Sequence, residues 1–361
     1  MASFTIPWNT VNTLVGDKVM PNVRRQVYQS DAFLARLNAK KETYDGGRTI
    51  QQPLVWRVET GEWFGGADIL DTSITDTVQP AVFRPKNFAA KMVITWDDER
   101  TVRGPKMVKS LMNLKMQEVK RSATHLISGD LFNDGSDPKR LTGLQYIFKD
   151  FTIGSGYSAP GGLVSQTYGG ITRAGRYDGS GGGTQTNNWW VHQGDATAYT
   201  DAPNGGFDPY TPGQVANVLG KMWAGILLAA GATNLPTLLL SNIGCWTAYM
   251  NSLMLGDRRI WPQQDTKLAE AGYDNVKFHR ATWLVDEKAP RTSGKVEKIY
   301  FINEDTLKLM VDEDADFAFE PFVKPHNQMA RVGFVLWRGE LFCIEPRANG
   351  VISNITVSTV S

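Results

Sequence analysis

Most signatures of catalysis are missing from this 361-residue chain. Its two cysteines, Cys245 and Cys343, lie too far apart for a metal knuckle or a redox pair and read as buried thiols in a reducing compartment. The four histidines, His125, His192, His279 and His326, form no HExxH or HxxxH pair, so no metal site is expected of them. No GxSxG elbow, Walker loop or dinucleotide fingerprint is present. The glycines at 179–183 lack the preceding strand and following helix that a phosphate cradle needs. With no nucleophile, base and orienting partner in view, the chain is expected not to be an enzyme and to need no cofactor.

Other absences narrow the class. No apolar run approaches the ~18 residues of a membrane helix, the best being GILLAAG at 225–231. The opening MASFTIPWNT has no basic segment leading into an apolar one, so no signal peptide is expected. Net charge is +1, from 38 basic and 37 acidic residues, which is not the electrostatic footprint of a dedicated nucleic-acid binder. The one basic concentration, Lys18, Arg24, Arg25, Arg36, Lys40 and Lys41, is accounted for by a solvated helix face. Asp97, Asp98 and Glu99 read as caps of the long helix that follows, or as partners for basic residues. The run DEDAD at 312–316 fails as a calcium loop, with Phe317 where the loop needs Gly and Val323 where it needs Glu, and reads as a solvated turn.

What is present is an ordinary globular composition, 42% hydrophobic and 21% charged. The length allows about two to three domains' worth of core. Residues 9–41 read as an irregular helical arm interrupted by Pro21, with Ser30–Asp31 starting a helix whose apolar face is Ala32, Phe33, Leu34 and Leu37. Ile50, Gln52, Leu54, Trp56 and Val58 alternate with their neighbours, and Phe88, Ala90, Met92, Ile94 and Trp96 repeat the period, which predicts a long β-hairpin with a distal loop over 59–85. A lone two-stranded ribbon is marginal in water, so something must cover it, and a second molecule is one candidate.

The strongest helix pattern runs from Gly104 to Phe132, with Val108, Leu111, Met112, Met116, Val119, Ala123, Leu126, Ile127 and Leu131 at three- and four-residue steps. At 1.5 Å per residue it is roughly 40 Å long, a spine on which several elements can pack. Residues 150–211 are rich in Gly, Ser, Thr and Asn. A helix over 212–231, a buried strand at 235–241 and a helix from Asn242 to Met254 then suggest a compact α+β domain. Strands return at 298–303, 307–312 and 329–345, the last with a turn expected at Arg338–Gly339. Aromatic content stands out instead of a catalytic set: of 11 tryptophans, Trp63, Trp189, Trp190 and Trp337 are among those placed at turns or strand ends, where interface cores draw on them.

Several stretches carry a resemblance. SDAFLARLNAKKETYDGGRTIQQPLVW (30–56) resembles the arm and YDGG turn that lead into the hairpin of tailed-bacteriophage major capsid proteins of the Hong Kong 97 type. TYGGITRA (167–174) followed by NNWW (187–190) is similar to the YGGI–R–WW element of one capsid subgroup, and FVKPHNQMARVGFVLWRGELFC (322–343) to the family's C-terminal strand pair. The resemblance implies an α+β Hong Kong 97-like fold: an N-terminal arm (1–47), an extended hairpin loop (48–96), a peripheral domain (97–139 and 296–361, with the spine helix at 104–132), and an axial domain (140–295) containing the Gly-rich loop 150–211. It implies a subunit that self-assembles into pentamers and hexamers of an icosahedral head, found in the virion and assembled in the host bacterial cytoplasm. The shell would enclose double-stranded DNA through weak interior contact. Portal, separate scaffolding and decoration proteins are the implied partners, and no membrane is involved.

On the same resemblance, the candidates for contact between subunits are Trp56, Trp63, Phe64, Tyr168, Arg173, Trp189 and Trp190, with Trp189 and Trp190 anchoring the Gly-rich loop. No lysine lies in 59–85, the nearest being Lys86 and Lys91, so the covalent crosslinks of some relatives are not expected. The chain reaches its arm at once and starts with Met1, which favours a separate scaffold over a cleaved leading segment. The alternatives are a cellular nanocompartment shell of the same fold and a soluble binding module.

Overall fold

The computed structural model describes residues 27, 31–55, 63–66, 68–69, 77–101, 105–149, 167–173, 190–203, 205–211, 213–254, 275–292 and 295–357. Helix α1 (Ala32–Ala39) and strand β1 (Glu42–Tyr44) precede a hairpin of β2 (Ile50–Val55) and β3 (Val78–Phe83). Next come β4 (Lys86–Thr95), the short α2 (Trp96–Thr101), the long α3 (Pro105–Asp130) and the single turn α4 (Leu144–Ile147). Four short strands follow: β5 (Thr167–Tyr168), β6 (Ile171–Thr172), β7 (Gln193–Asp195) and β8 (Tyr199–Thr200). After them lie α5 (Gln214–Ala230), β9 (Leu238–Ser241), α6 (Ile243–Met254), β10 (Asn275–Phe278), β11 (Ala281–Val285) and β12 (Val296–Ile302). The chain closes with β13 (Leu307–Val323), β14 (Ala330–Cys343) and β15 (Gly350–Thr356).

Two larger sheets organise these elements. One has the order β1-β13-β14-β4; the other runs β10-β11-β9-β12-β15-β7, with β8 also on β15. The second is buried on both faces, which is why Leu238 to Ser241 form an unbroken buried run and not an alternating one. Leu239, Trp283, Phe301 and Ile352 face a core shared with α5 and α6. Leu238, Leu240, Tyr300 and Val351 face a second core with α1, α3 and the four-stranded sheet. No described helix is long and apolar enough to cross a membrane.

Local chemistry sets the element ends. The Asp31 carboxylate accepts from the Phe33 N–H at 2.9 Å and caps α1, which buries Ala32, Phe33, Leu34 and Leu37 as its pattern predicts. Thr95 and Asp98 cap α2 reciprocally: the Asp98 N–H donates to Thr95 Oγ1 (3.2 Å), and Asp98 Oδ2 accepts from the Thr95 N–H (3.1 Å). Of the acidic cluster, Asp98 therefore caps this short helix, and the residues leading into the spine at 102–104 lie outside the described ones. On α3, Met116, Val119, Ala123 and Ile127 are buried, whereas Leu126 lies on the outer side. At the start of α6 the buried Glu297 carboxylate accepts from the Cys245 N–H at 2.8 Å and lies 3.2 Å from Arg291, an anion held at a helix N-terminus.

Four expectations are corrected. The return strand of the hairpin is β3, paired from Ile50↔Phe83 to Val55↔Val78, and not the run at 88–96. That run is β4, laddered along β14 from Ala330↔Thr95 to Gly339↔Lys86. Arg338–Gly339 is no turn: β14 continues through it, and Gly339 is required because a Cβ there would lie 2.7 Å from the Met310 carbonyl oxygen and 2.8 Å from the Trp337 ring. DEDAD is an irregularity within β13, where the register shifts between Val311 and Asp316, and it is paired: Asp312 to Arg338 at 3.3 Å and Asp316 to Lys41 at 2.5 Å. Finally, β12 and β15 pair with each other and β12 with β9, so residues 296–302 and 350–356 belong to the sheet of the expected axial domain and not to the peripheral one.

A Cβ on Gly244 would lie 2.4 Å from Glu297 Oε1. Gly244→Ala is therefore expected to lower the unfolding free energy by about 1–3 kcal/mol, measured by urea denaturation; an unchanged midpoint contradicts this reading of the α6 N-terminus.

Candidate assembly interface

The β2–β3 hairpin has two faces rich in apolar residues, and the described residues cover one of them. Ile50, Leu54, Ala81 and Phe83 point into the chain and are buried. The opposite face carries Val55, Val78 and Val82, all exposed, with Pro53 directly across from Pro80. Neither proline has an N–H to offer, which discourages a further strand from adding along the ribbon. The uncovered face thus calls for a partner that packs flat against it. At the distal end, Gly65 and Asp68 close a turn through the Asp68 N–H to Gly65 carbonyl bond (2.9 Å) and the Gly65 N–H to Asp68 carboxylate bond (2.8 Å). Beside that turn Trp63, Phe64 and Ile69 are exposed. Trp63 and Phe64 stand where a contact between subunits was expected; Trp56 and Trp189 lie outside the described residues.

The base of the hairpin is clamped by the TYGGITR segment. Tyr168 and Ile171 pair across a two-residue turn in which Gly169 (φ 60°) and Gly170 (φ 79°) both take the left-handed conformation that a tight hairpin demands. The Gly169 carbonyl accepts from the Val82 N–H at 2.8 Å, and a Cβ on Gly169 would touch Phe83 and Ala81 at 3.0 and 3.1 Å. Phe83 stacks on Phe342 at 4.3 Å between ring centroids and tilts against Tyr168 at 5.4 Å. Tyr168 in turn stacks on Trp190 at 5.4 Å, takes its indole N–H on the backbone carbonyl (2.9 Å), and accepts the Cys343 N–H on its hydroxyl (2.7 Å). Arg173 lies over the Tyr168 ring at 4.5 Å and donates to the Ile147 carbonyl at 2.7 Å.

Tyr168, Arg173 and Trp190 are thus buried inside their own chain, which corrects the expectation that they are surface contacts. Aromatic content signalled area to be covered, not which side would cover it. Phe83 and Phe342, which complete the stack, were missed because four rings from four distant segments leave no local pattern.

A second uncovered apolar strip lies on the four-stranded sheet. On β14, Val335 and Trp337 are buried while Phe334 and Leu336 on the opposite face are exposed, and Val323 of β13 is exposed opposite Val332. Of the basic cluster at the start, Arg36 pairs with Glu304 (2.7 Å), Lys40 with Asp305 (2.6 Å) and Lys41 with Asp316 (2.5 Å), while Lys18, Arg24 and Arg25 lie outside the described residues; Lys308 pairs with Glu42.

Titratable groups near the clamp are structural. Burial first and the Arg173 charge second push His192 well below the usual histidine range, so it stays neutral, with Nε2 3.0 Å from the Lys149 carbonyl. Burial holds the Glu340 carboxyl up at about 7; its Oε1 accepts from the Thr142 N–H at 3.3 Å and its Oε2 has no partner. Among the described residues, no three His, Cys, Asp or Glu side chains converge on a metal position.

A two-stranded hairpin packed by one face onto the core, a long spine helix and a doubly buried central sheet make an α+β fold of the Hong Kong 97 capsid type. Solved structures carry the same fold. The chain is similar to the capsid of cyanophage A-1(L), at 15% identity over 90% of this chain and 92% of that one, with a TM-score of 0.60. It is similar to the capsid of a native GTA particle, at 10% identity over 89% and 90%, with a TM-score of 0.54. It is also similar to the SrpI encapsulin of Synechococcus elongatus PCC 7942, at 13% identity over 91% and 89%, with a TM-score of 0.51. No protein-family model matches the chain, and no curated protein matches its sequence.

Tyr168→Phe removes the acceptor of the buried Cys343 N–H and is expected to cost about 1–3 kcal/mol; wild-type stability in thermal or urea unfolding contradicts the clamp. For Glu340, the folded carboxyl stays protonated up to about 7 while the unfolded one ionises near 4.5. Its contribution is fully present below pH 4.5 and is lost as pH rises through 7. The loss is at most about 3 kcal/mol, at about 1.4 kcal/mol per pH unit crossed. Glu340→Gln should flatten the stability profile across that window, and an unaltered profile refutes it.

Proposed function

We propose that this chain is the major subunit of a closed icosahedral shell, the head of a tailed bacteriophage enclosing double-stranded DNA, assembled from pentamers and hexamers. The observation that carries the proposal is the hairpin: its base is fixed by a ring stack, its outer face carries Val55, Val78 and Val82, Trp63 and Phe64 stand beside its distal turn, and among the described residues none covers them. A second copy has what it needs, an exposed apolar strip at Val323, Phe334 and Leu336 on a sheet that can receive it. Trp63 and Phe64 would be the anchors, since rigid aromatic groups bury much area at low entropy cost. Capsid proteins of the same fold support the reading, and a shell role needs no catalytic residues.

On this reading portal, separate scaffolding and decoration proteins are further partners, the protein resides in the virion, and assembly takes place in the bacterial host's cytoplasm. Near-neutral net charge fits a wall that touches packaged DNA only weakly. The similarity to an encapsulin gives a specific basis for a second reading, a cellular compartment loaded with protein cargo.

The test is sedimentation of the purified chain with negative-stain microscopy of the fastest fraction and analysis of its contents. Closed polyhedral particles support a shell, with DNA content favouring the phage head and protein cargo the compartment. A monomer that stays monomeric with scaffold supplied contradicts both. Trp63→Ala with Phe64→Ala is expected to leave the monomer folded and to cut the yield of closed particles by about tenfold or more, read by sedimentation; a normal yield removes the tip from the interface.

A further inference from the structure

Two acids meet where the start of α1 reaches the turn after β11. Asp31 caps α1: its carboxylate accepts the Phe33 N–H and its backbone carbonyl the Ala35 N–H, both at 2.9 Å. Asp286 accepts the Lys288 N–H on Oδ1 at 2.8 Å, and its own N–H donates to the Ser241 carbonyl at 3.0 Å. Each carboxyl group is thus held in place by its own turn, and the two side chains hydrogen-bond to each other. Asp286 is only 6% exposed, so water does little to separate them.

An ionised carboxylate can only accept hydrogen bonds. A hydrogen bond between two of them therefore needs a proton held in common, and without it two like charges face each other at a buried contact. Burial first, and the Asp31 charge second, raise the Asp286 carboxyl to about 7. The charged groups around the pair are Lys120, Arg121 and His125 from α3, and Glu287 and Lys288 from the turn itself. Of these, Lys288 draws the Asp286 carboxyl back down, and its charge acts more weakly than that of Asp31.

We propose that Asp31 and Asp286 form a proton-dependent latch: the shared proton fastens the first turn of α1 to the turn after β11, and its loss lets that first turn open. The rest of α1 is tied separately, through Arg36 to Glu304 at 2.7 Å and Lys40 to Asp305 at 2.6 Å, so the opening is confined to the start of the helix. The contribution of the latch is fully present below the ordinary aspartate value of 3.8 and is lost as pH rises through about 7. The latch belongs to the single chain and stands or falls independently of whether the chain builds a shell.

The test is amide hydrogen exchange on the full chain, read by mass spectrometry over α1 at about pH 6 and 8. After correction for the intrinsic rise of exchange with pH, the first turn of α1 should lose about tenfold of its protection per pH unit above 7. Asp286→Asn and Asp31→Asn each put an amide N–H in place of the shared proton, and asparagine caps a helix as well as aspartate does. Both variants are expected to hold at the higher pH the protection they show at the lower. Glu340 changes charge over the same range but lies against Thr142, and histidines ordinarily titrate there too. Glu340→Gln and His125→Gln should therefore leave the wild-type loss in place. Protection of the first turn that does not change with pH in the wild type overturns the proposal. So does a loss that persists in both asparagine variants or disappears in either control.

Discussion

The rings of Phe83, Phe342, Tyr168 and Trp190 form the contact on which the rest of this architecture depends. Phe83 belongs to the hairpin, Phe342 to the four-stranded sheet, Tyr168 to the TYGGITR turn, and Trp190 directly precedes the first strand laid on the far side of the central sheet. Each aromatic pair adds about 0.5–1.5 kcal/mol beyond its buried area, and the hydrogen bond from the Cys343 N–H to the Tyr168 hydroxyl fixes the geometry. A two-stranded ribbon cannot hold its own direction in water. Clamped at this junction, it can project as an arm of defined orientation.

Orientation gives the uncovered surfaces their meaning. The prolines at 53 and 80 discourage strand addition, so the ribbon can be covered only across its face. The strip at Phe334 and Leu336 is uncovered for a related reason: alternation along β14 sends Val335 and Trp337 into the core and leaves every second side chain outside. Of the basic residues near the start of the chain, Arg36, Lys40 and Lys41 are paired with acids of the same chain. The exposed valine and proline face of the ribbon and the strip at Phe334 and Leu336 are held on paired strands, as suits identical copies that must meet at repeated angles.

Helices were the legible part of the sequence. Asp31 before AFLARL, the long pattern ending near Asp130 and the apolar face of α5 each follow from spacing and caps that act over one turn. Strand pairing was less legible because partners are chosen by tertiary contact. The run at 88–96 alternates as a hairpin return strand would, yet it pairs with β14, more than two hundred residues away, while VQPAVF at 78–83 was hidden by its proline. Gly339 looked like punctuation and is a close backbone approach instead. Of the seven expected contact residues, Trp63 and Phe64 lie on the surface, whereas Tyr168, Arg173 and Trp190 build the clamp behind it. Composition marks aromatic residues as buried area but is silent on whether their own chain or another supplies the cover.

A cryo-EM reconstruction of particles formed by the chain tests the central claim most directly, because it locates the hairpin relative to the neighbouring subunit. The account predicts density for Trp63 and Phe64 against an adjacent copy, with the valine and proline face of the ribbon lying flat on that copy's exposed strip. A hairpin folded back over its own subunit, or standing free in solvent within a closed particle, contradicts it.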